Sequence, residues 1–169
     1  HELVYSGDSL ADGFDKAQDG YTVDVRDNVT LERDVTVTGG ITVTGAEKID
    51  LNGKTITLAD KDSSVTADAD LGESSFVSFS EDYVVKTTET DGKFVYSLVE
   101  KVWPVIVTLN GEVLYKGDDL TAAFAVAKDG STITINESLT LDSNVVVKDN
   151  ITIVNTANLG QNGKQILLS

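Results

Sequence analysis

Side chains able to do chemistry gather in two short stretches of the sequence. Asp24, Asp27, Glu32 and Asp34 lie close together beside Arg26 and Arg33, the two arginines of the chain. Clustered carboxylates serve as acid and base in glycoside hydrolysis, and elimination from acidic polysaccharides needs a basic side chain beside a bound calcium. The second stretch, DADLGE at 68–73, sets Asp68, Asp70 and Glu73 around a glycine, an oxygen-rich set of the kind calcium prefers. DKDSS at 60–64 adds a further Asp-x-Asp pair, and neither stretch has EF-hand spacing. Charged residues at turns are ordinarily solvated corners, so no catalytic residue is assigned. Asp68, Asp70 and Glu73 stand as a weak calcium site, with a solvated acidic loop as the alternative, and calcium is the one cofactor the sequence leaves open.

Other chemistries are excluded by what is missing. The chain has no cysteine, and its one histidine is His1, so neither a zinc centre nor Ser-His-Asp or Cys-His catalysis can be assembled. Twenty-eight acidic residues face 13 basic ones, a net charge of −15 that repels phosphate backbones and anionic lipid. No apolar run is long enough to span a membrane. Nucleic acid is therefore not an expected partner, nor is membrane insertion. An anionic polysaccharide would be repelled too unless calcium bridged it to the chain. Contact with a ligand falls to the aromatic residues Tyr83, Phe94, Tyr96 and Trp103, which could grip a sugar or a protein surface, or else serve as packing.

Elements must position these groups, and the sequence writes several of them twice. FDKAQDG at 14–20 is matched by FAVAKDG at 124–130, and the likeness runs on from there to NGK at 52–54 and again at 162–164. Such self-similarity predicts a tandem repeat of ~110 residues, present as one unit and part of a second. The second copy sets Thr134, Glu137, Asp142 and Asn144 opposite the four acids of the first cluster. In each copy Leu, Phe and Ala fall at helical spacing, Leu10, Phe14 and Ala17 then Leu120, Phe124 and Ala127. Asp8 or Ser9, and Asp118 or Asp119, can cap these helices, expected near 8–19 and 118–129, and Gly20 and Gly130 can close them.

Short runs of alternating Val, Ile, Leu and Thr follow each helix, broken at Asp27-Asn28, Gly39-Gly40 and Asn52-Gly53. Strands so short suit a chain that turns a corner after each, which predicts a mainly β fold: a right-handed parallel β-helix, or β-solenoid, with each module fronted by a short N-terminal capping helix. Asp91-Gly92 and Asn110-Gly111 are hairpin turns, and ELVYSG at the start reads as the second strand of a hairpin of the same kind. The expected organisation is a first module over 1–82, a hairpin connector over 83–110 and a partial second module over 111–169.

The order of NGEVLYKG, DDLTAAFAVAKDG, STITINESLTL and DLNGKTITL resembles the pectate-lyase-like β-helix repeats of large surface or exported proteins of gut Firmicutes. The resemblance implies a bacterial cell-surface or secreted setting, and the absence of an initiator Met predicts a piece of a longer chain. The expected function is non-enzymatic: adhesion, or presentation of a surface to a host glycan or a host protein such as immunoglobulin. The alternative is a polysaccharide lyase or glycoside hydrolase. Open strand edges predict either a monomer or end-to-end self-association.

Overall fold

Val, Ile or Leu at every second position, with Thr between and Asn, Asp or Gly every few residues, favours brief strands joined by corners. The computed structural model describes residues 5–147 and 150–169. Among these are eighteen strands and two α-helices, and the chain divides into two units at Lys101/Val102.

In the first unit, α1 (Leu10–Lys16) buries Leu10, Ala11 and Phe14 and packs on the strand Val35–Val37. The Ser9 hydroxyl caps it, accepting from the Asp12 N–H at 3.2 Å. Eight short strands follow: β1 (Thr22–Asp24), β2 (Val29–Thr30), β3 (Val35–Val37), β4 (Gly40–Thr44), β5 (Ile49–Asp50), β6 (Ile56–Leu58), β7 (Ser64–Ala67) and β8 (Phe76–Ser78). They pair in parallel with the next strand but two along the chain, β1 with β4 and β4 with β7, β2 with β5, and β3 with β6. β8 closes the third series on β6. Leu31, Ile41, Val43, Ile56, Leu58 and Val65 point inward and are buried. A hairpin of β9 (Tyr83–Thr90) and β10 (Lys93–Glu100) turns at Asp91 and Gly92, both with positive φ, and lays β10 antiparallel on β7.

The second unit begins with the hairpin of β11 (Val105–Leu109) and β12 (Glu112–Gly117), followed by α2 (Leu120–Val126), capped by Asp119. β13 (Thr132–Ile135), β14 (Leu139–Thr140) and β15 (Val145–Val147) then pair in parallel with β16 (Thr152–Val154), β17 (Leu159–Gly160) and β18 (Ile166–Leu168). β11 is central in its sheet, antiparallel to β12 on one side and to β13 on the other.

Much of the acidity is spent at the corners. Asp19 Oδ1 accepts from the Gly40 N–H and Asp34 Oδ1 from the Thr55 N–H, each at 2.8 Å. In the second unit Asp129 accepts from the Asn150 N–H and Asn144 from the Gln165 N–H. A corner turns backbone donors away from the sheet, and an acceptor side chain from the preceding layer satisfies them.

The sheets correct the expected architecture. Among the described residues the strands form six small sheets, of five, four, three, two, two and two strands, and the two largest mix parallel and antiparallel pairing. They are not a β-solenoid. The parallel strands are two to five residues long, whereas β9 and β10 are eight each, so the hairpins impose antiparallel pairing on the sheet they join. Nor can 169 residues hold tandem units of ~110. What recurs is the stretch from each helix through the short strands after it.

The helices are shorter than the expected 8–19 and 118–129. Ala17 is already extended at φ −70°, and the φ of 77° at Gly20 serves the turn into β1, where the Gly20 N–H donates to the Gly40 carbonyl at 2.7 Å. The segment 83–110, expected as a connector, is divided: β9 and β10 belong to the first unit and β11 to the second. His1 and the first half of the strand expected at 2–7 lie outside the described residues.

Candidate functional site

Two residues assigned by sequence to separate sites are partners of one hydrogen bond. Tyr96 is fully buried in β10, its ring stacked on Phe76 at 4.0 Å between centroids. Its hydroxyl accepts from the Leu71 N–H at 2.7 Å and donates to Asp70 Oδ1 at 2.7 Å. Burial, with the Asp70 hydrogen bond adding to it, pushes the Tyr96 phenol up to about 12. The Tyr96 hydroxyl and the Gly72 N–H hold the Asp70 carboxyl below the usual range. Tyr96 is thus part of the core, not a ligand-contact residue, and Asp70 anchors the 68–76 loop to β10.

The other expected calcium ligands are similarly occupied. Asp68 accepts from the Gly45 and Ala46 N–H groups at 2.8 Å each, capping the turn after β4. Burial alone would raise its pKa, but the Ala46 and Gly45 N–H donors outweigh it and the net shift is downward. Gly45 is required there: its φ is 73°, and a Cβ would run into the Val25 carbonyl. Glu73 Oε2 accepts from the Thr87 N–H at 2.7 Å. Among the described residues no three His, Asp or Glu side chains gather in a way that could hold a metal ion.

The acid and arginine cluster is divided as well. Arg26 pairs with Asp24 at 3.0 Å with both side chains largely exposed, and Arg26, first, then Thr44 lower the Asp24 pKa. Arg33 bridges back to Asp12 and Asp15 on α1, while Glu32 accepts from the Ala11 N–H near the start of that helix. Asp34 is committed to Thr55.

Of the aromatics, Phe94 packs against the first core and Trp103 lies under the Lys116 ammonium, 5.4 Å from its ring centroid. Tyr83 has a different setting. It stacks with Phe79 at 5.4 Å between centroids, and Phe79 is 46% exposed. Phe79 escaped the sequence reading because SFSED at 78–82 carries no alternation to mark an outward ring.

A cleft of about 560 Å³ lies in the first unit, lined by Tyr5–Leu10 on one side and Tyr21–Val29 on the other, with Gly13 and Ala17 of the helix segment. It takes in Asp24, Arg26 and Asp27 but not Glu32, Arg33 or Asp34.

Compared with known proteins, the chain matches no family model, no curated protein and no solved structure.

Proposed function

We propose that the chain is a non-enzymatic binding module of a bacterial cell-surface or exported protein, contacting a host glycan or host protein through the stacked rings of Phe79 and Tyr83. One observation carries this reading. Phe79 stays 46% exposed while already stacked on Tyr83, so an aromatic surface is presented to solvent instead of being closed into the core. Such a pair offers a sugar ring or an apolar side chain a preorganised face with little rotamer entropy to lose. The reactive side chains give no comparable support to a lyase or hydrolase, because Glu32, Asp34, Asp68, Asp70 and Glu73 each accept backbone hydrogen bonds. The surroundings of the ring pair include Glu81, so neutral or basic ligands are favoured over polyuronates.

A glycan and serum-protein binding screen with the intact chain tests the proposal. Saturable binding that is lost in Phe79→Ala and Tyr83→Ala, and kept in Trp103→Ala, is the expected result. Release of unsaturated sugars from a polyuronate, with no binding across the panel, would overturn it.

A further inference from the structure

Nine asparagines are spread along the chain, and the fold treats them unequally. Four are tied down by their side chains. The Asn136 and Asn158 amides donate to the Trp103 and Ile135 carbonyls, Asn150 donates to Asp129, and Asn144 accepts from the Gln165 N–H. Asn52, Asn110 and Asn162 are different. Each is exposed and followed by glycine, and the side-chain amide of each is bonded to nothing among the described residues.

All three pairs form tight turns with both residues left-handed: φ is 50° and 69° at Asn52-Gly53, 52° and 85° at Asn110-Gly111, and 46° and 74° at Asn162-Gly163. The first is closed by the Lys54 N–H on the Leu51 carbonyl at 2.8 Å, the last by the Lys164 N–H on the Gln161 carbonyl at 2.7 Å. The glycine nitrogen takes no part in either bond. A Cβ placed on Gly53, Gly111 or Gly163 would meet nothing within 4 Å, so there is room around the reacting atoms. With no side chain to hinder it, glycine can also swing its nitrogen toward the amide before it.

We propose that Asn52, Asn110 and Asn162 are sites of spontaneous covalent modification, and that Asp50 slows the reaction at Asn52. The glycine nitrogen loses its proton to solvent and bonds to the asparagine Cγ, while the Cγ–Nδ2 bond breaks and ammonia leaves. Water then adds to one carbonyl of the cyclic imide and opens it to aspartate or isoaspartate. Each event adds a negative charge, and isoaspartate also inserts a carbon into the backbone of the turn. At 110–111 that turn joins β11 to β12 and sets their register, so the sheet of the second unit is the one most disturbed.

The two matching corners differ in one bond. The Asn52 N–H donates to Asp50 Oδ1 at 2.9 Å, whereas residue 160, which corresponds to Asp50, is a glycine. Ring closure must rotate the asparagine backbone out of the turn, and at Asn52 this breaks a bond that Asn162 lacks. A bond of that strength slows the reaction ~2–10-fold. None of this depends on the Phe79–Tyr83 rings.

The test incubates the full chain in mildly alkaline buffer, with and without denaturing guanidinium, and follows each asparagine by mass spectrometry of proteolytic peptides. In the folded chain, replacement of the amide by a carboxyl is expected at 52, 110 and 162 while the four tethered asparagines stay intact. Asn162 should react ~2–10-fold faster than Asn52, and the two rates should converge in guanidinium, where the turns are gone. Asp50→Ala should raise the folded rate at Asn52 toward that at Asn162, with Asn110 as the internal standard. Absence of reaction at any of the three, equal folded rates at Asn52 and Asn162, or a difference that persists in guanidinium would overturn the proposal. So would an Asn52 rate that Asp50→Ala leaves unchanged.

Discussion

In the first unit the parallel series β1, β4, β7 is closed at its far end by β10, and β1 is the edge with no further partner among the described residues. In the second unit β11 closes the near edge on β13, and β16 is the strand that ends the sheet. The layers between are wired alike: Thr42 donates to Tyr21 and Thr152 to Ser131, Leu31 to Asp50 and Leu141 to Gly160, Val35 to Thr55 and Val145 to Gln165. Short parallel strands of this kind settle their own corners but not their edges. Each edge is settled by whichever long hairpin is at hand.

Tyr96 is the fully buried residue of the strand that closes the far edge of the first unit, so replacing it should break the comparison most. Tyr96→Ala removes the ring stacked on Phe76 and leaves Asp70 and the Leu71 N–H without their partner, at a cost of ~3–5 kcal/mol to the first unit. Tyr96→Phe keeps the ring and should cost ~1–3 kcal/mol. Urea unfolding followed by residue-resolved amide signals checks both, since Ile133 and Ile135 in the second core should keep their midpoint.

Capping at the Asp68 corner is a smaller contribution. Asp68→Ala should destabilise the first unit by ~0.5–2 kcal/mol and speed exchange of the Gly45 and Ala46 amides, with the Asn158 to Ile135 bond of the second unit unaffected. Unchanged exchange at Gly45 would show that the turn holds without its acceptor.

Acid should separate the two units by the same logic. Asp24, Asp68 and Asp70 all have pKa values below their ordinary 3.8. A carboxyl depressed in the folded state adds stability that is present above the ordinary pKa and is lost as pH falls through the folded one. Below pH 3.8, therefore, protection at Gly45, Ala46 and Gly72, measured against unstructured peptide rates, should fall before protection at Gln165, whose acceptor is the non-titrating Asn144. Simultaneous loss would remove the acids from the account.

Least affected should be the variant Arg33→Gln. Its ion pairs with Asp12 and Asp15 are half-exposed, and such pairs contribute little, so the urea midpoint should not move measurably. A clear drop would make α1 depend on that bridge.

Local structure was legible in the sequence wherever a short pattern determines it. The period of Leu10, Phe14 and Leu120, Phe124 marks the two helices, and alternation marks the short strands that follow the first of them, broken at turns that lie between strands. Asp91-Gly92 and Asn110-Gly111 adopt the positive φ that their hairpins require. Pairing between strands was not legible. Three-residue strands carry too little information to choose a partner, and the sheets depend on hairpins such as β9–β10 and β11–β12 that take one edge and leave the other. The candidate site was misread for a related reason. Tyr96 and Asp70 are 26 residues apart in sequence, and only the antiparallel seating of β10 on β7 brings them to 2.7 Å. An acidic loop looks the same in sequence whether its carboxylates are free for a cation or bonded to the backbone.

The opposite closure of the two units is tested most directly by amide hydrogen exchange at four residues. With β1 open and β13 covered, Thr22 and Asp24 should exchange near the unstructured rate while Thr132 and Thr134 are strongly protected. Equal protection at all four would mean that β1 is covered as β13 is, and would contradict the account.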